Sequence, residues 1–196
     1  TGILHHARDL SSAAIAQTLG QMIRAGRFLI IPLWGAQQLG LDAAQVGIIV
    51  TAGAILDVSM FVPAGMLMDR FGRKVAAVPS FSLMALGIGL IPFTRDFLTL
   101  LLVAMLIGFG NGLGAGLMMT LGADLAPPGA VGEFLGIWRL IGDVGAAAGP
   151  LVVGIVAAAV GLSGGAWVLS LAGWLAVITL AALVRETRVR PLDDRG

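Results

Sequence analysis

Three ionisable residues lie inside apolar stretches that are long enough to cross a bilayer. Arg24 and Arg27 are three residues apart, so on a helix they share roughly one face, and Asp57 lies midway along the next stretch. A charge there costs about 3 kcal/mol or more unless it meets water or a partner. Facing a cavity, the arginines would attract an anionic group, and Asp57 could exchange a proton because removal from water disfavours its charged form. Alternatively, Asp57 only fixes packing through a hydrogen bond to another helix or to an arginine, and the arginines extend to lipid phosphates.

A second pair of charges, Arg139 and Asp143, lies in a later apolar stretch. Four residues apart on a helix, the two side chains can neutralise each other, so a structural ion pair is the first interpretation. Trp138 precedes Arg139 and could face a cavity beside it, although tryptophans in such stretches more often anchor or pack a helix. Gln17, Gln21 and Asn111 could hydrogen-bond a solute or a neighbouring helix.

The composition identifies the environment of these residues as a membrane. Of the 196 residues, 58% are hydrophobic and only 12% are charged, whereas soluble domains average about 25%. The chain has no cysteine, and its two histidines, His5 and His6, lie together in a polar leader, so we expect no metal site and no cofactor. A net charge of +1 gives no basic face for a nucleic acid, so we expect the lipid bilayer as a partner instead.

Six stretches are long enough to span the hydrocarbon as helices. Glycine, proline or aspartate separates each from the next, as helix ends require, and the absence of strict alternation excludes a barrel of strands. The sequence therefore predicts an all-α, polytopic membrane protein with six transmembrane helices. The predicted helices cover approximately 13–38, 44–67, 75–93, 98–123, 132–160 and 164–184.

The distribution of basic residues predicts the orientation, because loops rich in Lys and Arg stay cytoplasmic. With the N-terminus inside, only Arg95 falls outside. We expect a cytoplasmic leader over 1–12, a membrane bundle over 13–185 and a cytoplasmic tail over 186–196. The basic residues then placed on the cytoplasmic side are Arg8, Arg70, Arg73, Lys74, Arg185, Arg188, Arg190 and Arg195.

The turn between the second and third stretches reads "GMLMDRFGRK" and contains more than a topology signal. Gly65 could admit another backbone, Gly72 permits a tight reversal, and Asp69 could cap the next helix or accept hydrogen bonds. The spacing Gly-x-Leu-x-Asp-Arg-x-Gly-Arg-Lys resembles the signature loop of the major facilitator superfamily, which latches the cytoplasmic ends of the two halves of those transporters. The resemblance implies a gate in which Asp124 meets Arg70 or Arg73. The residues of this loop and gate are Gly65, Leu67, Asp69, Arg70, Gly72, Arg73, Lys74 and Asp124.

A glycine-proline pattern in the fifth stretch resembles the motif of proton-coupled drug exporters in the same superfamily. It comprises Gly136, Gly145, Gly149, Pro150 and Gly154, with Val153 where the pattern has one further glycine. The alternative is that small residues at helical spacing simply let membrane helices pack closely. The resemblance implies an integral protein of the bacterial plasma (inner) membrane.

Members of the superfamily have two six-helix halves with the substrate site between them, so six helices imply a missing half as partner. The N-terminal half usually carries an arginine three residues before a Gln-Gly pair in its fourth helix, whereas here Gly108 precedes Asn111 and Gly112. This departure, and an ending that resembles the tail after a last helix, favour the C-terminal half. Because the chain begins at Thr1 without a methionine, we expect a fragment or a processed chain.

We therefore expect secondary active transport of a small solute by alternating access, proton-coupled and directed outward. The alternative is a membrane scaffold or assembly subunit, which would need neither Asp57 nor the complete loop. No nucleotide-binding loop and no catalytic constellation occurs in the sequence, so we do not expect an enzyme. The solute's identity is left open, because one fold carries many substrates.

Overall fold

The computed structural model describes residues 2–114, 116–127 and 129–182, and the part so described contains only helices and turns. The all-α prediction is confirmed. The predicted tail over 186–196 and the side chains of Arg73 and Lys74 lie outside the described part. In chain order the helices are α1 (Gly2–Gln37), α2 (Ala43–Ser59), α3 (Phe61–Phe71), α4 (Arg73–Leu90), α5 (Phe97–Leu113), α6 (Leu117–Leu125), α7 (Val131–Val160) and α8 (Leu162–Ala182), with a 3-10 turn at Ile91–Phe93 after α4.

Five helical segments of the described chain are long and apolar enough to cross a membrane. Two of them are helix pairs, α2–α3 over Ala43–Phe71 and α5–α6 over Phe97–Leu125. The sixth long helix is α1, which is less apolar because it carries Arg24 and Arg27. It begins at Gly2, well before the predicted start at residue 13, so the helix runs through the predicted leader.

Both helix pairs are interrupted near the middle of the membrane for local reasons. Pro63 has no N–H for the carbonyl of Ser59, and its ring crowds that carbonyl, so α2 ends there and α3 begins at Phe61. Between α5 and α6 the chain is rich in glycine, and Gly116 has φ +73°, a left-handed conformation that favours glycine.

Aspartate caps begin α2 and α5 on the predicted outer side. Asp42 and Gln45 form a reciprocal capping box, and so do Asp96 and Thr99. The pKa of Asp96 is lowered because the backbone N–H and the hydroxyl of Thr99 donate to its carboxylate. The caps satisfy N–H groups that no helical carbonyl reaches and so fix where each helix begins.

The bundle packs α1 against α7 and α8, α2 against α5, and α4 against α5 and α8. Small residues bring two of these pairs into backbone contact. A Cβ at Gly108 on α5 would overlap the carbonyl of Gly53 on α2, and one at Gly145 on α7 would overlap the carbonyl of Thr18 on α1. The core between the helices is aliphatic and aromatic, and its largest fully buried side chains include Ile23, Ile30, Phe81, Met84, Ile88 and Leu169.

Candidate functional site

A buried ion pair joins the first two membrane segments. The guanidinium of Arg27 on α1 donates to Asp57 Oδ2 on α2 at 2.8 Å, and the two side chains are 10% and 12% exposed. Asn111 on α5 donates its amide to the same oxygen at 2.7 Å. Asp57 lies at the midpoint of Ala43–Phe71 and Asn111 at the midpoint of Phe97–Leu125. Three segments therefore meet at one carboxylate in the middle of the bundle.

The carboxylate uses only one of its two oxygens in this arrangement. Asp57 Oδ1, Asn111 Oδ1 and Arg27 Nε are buried and have no hydrogen-bond partner among the described residues. Buried polar atoms are normally paired, and each unpaired one costs roughly 1–3 kcal/mol. The ion pair agrees with the structural interpretation of Asp57, and the second oxygen keeps an unused capacity to accept a hydrogen bond.

Arg24 is directed elsewhere. Its guanidinium donates to the carbonyl of Gly114 at 2.8 Å and lies 5.4 Å from the ring centroid of Phe81. Gly114 follows the last residue of α5, and its carbonyl accepts hydrogen bonds from both Arg24 and the backbone N–H of Leu117. Neither arginine extends to the membrane surface, which corrects that alternative.

A small cavity of about 30 Å³ borders Arg27 between α1, α2 and α5. A volume of roughly 30 Å³ suits one water molecule. Its other lining residues, which include Ile49, Gly53 and Ala104, are apolar, so Arg27 is the polar group that such a water would meet.

A larger cavity of about 330 Å³ lies between α1, α6 and α7. Trp138 borders it and is fixed by a hydrogen bond from Nε1 to the carbonyl of Met118 at 2.8 Å and by stacking on Phe134. Arg139 and Asp143 are exposed at this cavity and form no ion pair with each other in the described structure, which corrects the expectation of a structural pair. The cavity is lined by Gln17, Gln21, Met118, Met119, Trp138, Arg139, Gly142, Asp143 and Ala146.

The signature loop forms the turn between α3 and α4. Gly72 has φ +97°, so the predicted need for glycine at the reversal is confirmed. Gly72 is itself the residue that precedes α4, so Asp69 is not its cap, and no described atom lies within 4 Å of the position that a Cβ on Gly65 would occupy.

The charged side chains of this loop that the structure describes are Asp69 and Arg70. Asp69 and Arg70 are exposed, and the Arg70 guanidinium lies 5.3 Å from the ring of Phe71. Leu67 is half-buried, and Asp124 is exposed at the end of α6. The gate between Asp124 and the basic residues stays a prediction.

The glycine-proline pattern divides into two kinds of position. A Cβ at Gly145 or Gly149 would overlap the carbonyl of Thr18 or Met22 on α1, whereas Gly136 and Gly154 face open space. Pro150 lies within α7, half-buried. The contacts of the central glycines are those that the helix-packing interpretation predicts.

Sequence reasoning missed the contact between Gly53 and Gly108. It explains why no arginine occupies position 108, since the backbone of α2 fills the space where a side chain would lie. The sequence indicates this contact only by placing Gly53 and Gly108 near the centres of two apolar stretches. Asn111 is a visible polar residue in an apolar stretch, but the sequence alone does not connect it to Asp57.

Comparisons with known proteins agree on one family. The model of the Major Facilitator Superfamily matches residues 13–195. The chain is 29% identical over 85 residues to the arabinose-proton symporter of Bacillus subtilis, an alignment that covers 43% of this chain and 18% of the symporter.

Solved structures show the same fold at low sequence identity. A bacterial homologue of the human drug peptide transporters PepT1 and PepT2 aligns with TM-score 0.76 and 17% identity over 90% of this chain and 42% of its own. The peptide transporter POT in complex with sulfate gives 0.77 and 19% over 94% and 41%. The human organic anion transporter MFSD10 gives 0.69 and 16% over 93% and 48%. The chain thus spans less than half the length of these transporters.

Proposed function

Because the chain belongs to the Major Facilitator Superfamily, we propose that it forms one six-helix half of a secondary transporter that moves a small solute by alternating access. We further propose that a proton gradient drives the cycle through Asp57. The observation that carries this proposal is the buried contact of Arg27, Asp57 and Asn111 where α1 meets the centres of the α2–α3 and α5–α6 segments.

The chemistry of coupling follows from the contacts. When Asp57 is ionised, it neutralises Arg27 and holds α1 against α2. A proton taken up on the unpartnered Oδ1 would remove the negative charge and leave Arg27 without its counter-ion. A buried unpaired arginine is unfavourable, so α1 must then bring it to water or to an anionic group. Release of the proton would restore the ion pair and return the segments to their first arrangement.

We also propose that this half is the C-terminal one, since glycine is required at position 108, where the N-terminal half usually carries arginine. The missing half and protons are then the partners, in a bacterial plasma (inner) membrane with both termini cytoplasmic. The proposal of outward transport comes from the glycine-proline pattern, whereas the Bacillus subtilis relative is named a symporter. A comparison of solute uptake by inside-out vesicles with uptake by right-side-out vesicles distinguishes the two directions of transport.

The substitution Asp57→Asn in the complete transporter tests the proposal. Asparagine keeps the shape and removes the titration, so we expect gradient-driven accumulation to be lost while downhill exchange of solute continues. The dependence of exchange on pH should also flatten. Accumulation is measured in proteoliposomes with an imposed pH gradient.

Asp42→Asn is the matched control. It removes a carboxylate outside the membrane segments, and asparagine caps a helix about as well as aspartate. We expect normal accumulation from this variant. If Asp57→Asn also accumulated solute at the normal rate and with the normal pH dependence, Asp57 would be a packing residue and the proposal would be wrong.

A further inference from the structure

The cavity between α1, α6 and α7 presents two opposite charges that do not neutralise each other. Arg139 and Asp143 both line it, both are exposed, and neither makes a hydrogen bond or ion pair with another described residue. Side chains four residues apart on a helix lie about 5–6 Å apart at their Cβ atoms, close enough to pair. Both charges are therefore available to a third group.

Gln17 and Trp138 border the same cavity. Gln17 is 4% exposed, and its Oε1 has no hydrogen-bond partner among the described residues. Gly142 gives it room, since a Cβ there would lie 2.6 Å from Gln17 Nε2. The amide of Gln17 is thus held against Gly142, with Oε1 out of reach of the cavity, and the indole N–H of Trp138 is already bonded to Met118.

We propose that this cavity binds a small zwitterionic solute. Its anionic group pairs with Arg139, and its cationic group pairs with Asp143. The proposal rests on the proposed function, because it names the class of solute that the transporter moves. The volume of about 330 Å³ is within the range of small-molecule sites.

The charge balance of the cavity selects a zwitterion over a simple ion. An anion bound at Arg139 would be repelled by the nearby carboxylate of Asp143. A cation bound at Asp143 would be repelled by the guanidinium of Arg139. A solute with a single charge is therefore attracted by one side chain and repelled by the other. A solute with both charges satisfies both side chains, and charge-assisted hydrogen bonds are about twice as strong as neutral ones.

A matched set of probes tests the proposal by equilibrium binding to the purified complete transporter. The zwitterions are 3-aminopropanoate, 4-aminobutanoate and 6-aminohexanoate, and the comparison compounds are butanoate, butylamine and butanamide. We expect at least one zwitterion to bind roughly tenfold or more tightly than all three comparison compounds, the free-energy difference expected from one further charged hydrogen bond.

Single neutralisations should change which probe is preferred. Arg139→Gln leaves Asp143 alone, so butylamine should become the tighter ligand, while Asp143→Asn should make butanoate the tighter one. The exchanged variant, Arg139→Asp with Asp143→Arg, should bind the zwitterion again in the reverse orientation. A loss of folding would weaken all probes together and could not produce these opposite changes. Glu133→Gln, exposed on the same helix and outside the cavity, should leave every affinity unchanged.

Absence of binding by all three zwitterions, or equal binding by butanamide, would overturn the proposal. The proposal would also be overturned if Arg139→Gln and Asp143→Asn lost affinity but did not differ in whether they bind butylamine or butanoate more tightly. Binding is measured without a gradient, so a failure of proton coupling at Asp57 does not affect this result. Conversely, a transporter that is coupled through Asp57 but does not bind zwitterions would retain the proposed function and lose only this inference.

Discussion

At the scale of single residues, Arg27 pairs with Asp57 whereas Arg24 donates to the carbonyl of Gly114. Arg24 and Arg27 share one face of α1, so either could have paired with Asp57. The choice depends on the interruption after α5, which supplies Arg24 with the carbonyl of Gly114 and leaves Arg27 for Asp57. Such a carbonyl becomes available only in the tertiary structure, so spacing along the chain could not show it.

The ion pair leads to a prediction about stability. Arg27→Met keeps much of the side-chain volume but leaves Asp57 buried without its cation, so we expect unfolding to become about 3–5 kcal/mol easier. Adding Asp57→Leu should recover a large part of the loss, because no unpaired charge then remains. Thermal unfolding of the purified protein in detergent measures both variants.

Arg95→Met is the control for this measurement. Arg95 is exposed outside the membrane segments, so its replacement should change the stability by less than about 0.5 kcal/mol. A loss in Arg27→Met no larger than in this control, or no recovery in the double variant, would contradict the burial and pairing described for Asp57.

At the scale of the helices, the sequence predicted six stretches and the structure interrupts two of them. The sequence stays apolar across Met60 and Gly114. Hydropathy therefore predicts one continuous span for α2 and α3 and another for α5 and α6. Pro63 and the glycines at 112, 114 and 116 were visible signals, but a membrane helix can also contain proline and glycine without ending. At the second interruption the carbonyl of Gly114 accepts from both Leu117 and Arg24, a tertiary contact that the local sequence does not show.

The glycine-proline pattern gives a prediction at this scale. Gly145→Ala and Gly149→Ala would each place a methyl group against a carbonyl of α1, so α7 must move away. Overpacking of this kind costs about 1–3 kcal/mol. Thermal unfolding in detergent should show this loss for both variants.

The same helix offers two controls, Gly136→Ala and Gly154→Ala. Both positions face open space, and alanine is a better helix former than glycine by about 1 kcal/mol, so these variants should be neutral or slightly more stable. Equal losses in all four variants would show that the pattern acts through backbone flexibility and not through contact with α1.

At the scale of the whole molecule, the bundle leaves two of its segments largely uncovered. Only 17% of the most apolar part of α2–α3 and 22% of that of α7 is buried, against 50% in α4 and 56% in α8. Large apolar side chains stand out from both segments, among them Val62 and Ile155, which are 72% and 69% exposed. Lipid can cover such faces, and so can a second six-helix half.

The open cavity beside Arg139 and Asp143 favours a second six-helix half over lipid as the cover that the proposed transport requires. A solute bound there touches only α1, α6 and α7, and nothing in the described chain closes the remaining side. Alternating access requires a second body that rocks against the first around the bound solute. If the proposed solute binds there, one half alone would hold it without being able to expose it to each side of the membrane in turn.

We accordingly predict that this chain, reconstituted alone in proteoliposomes, inserts into the bilayer but neither accumulates nor exchanges solute. Addition of the other half as a separate polypeptide should restore transport, because the contact between halves is made by faces that the chain already presents. The comparison uses equal amounts of inserted protein and the same pH gradient in both preparations. Gradient-driven uptake or efflux by the chain alone would contradict the prediction, and would mean that two copies of this half pair through α2–α3 and α7 to enclose the solute.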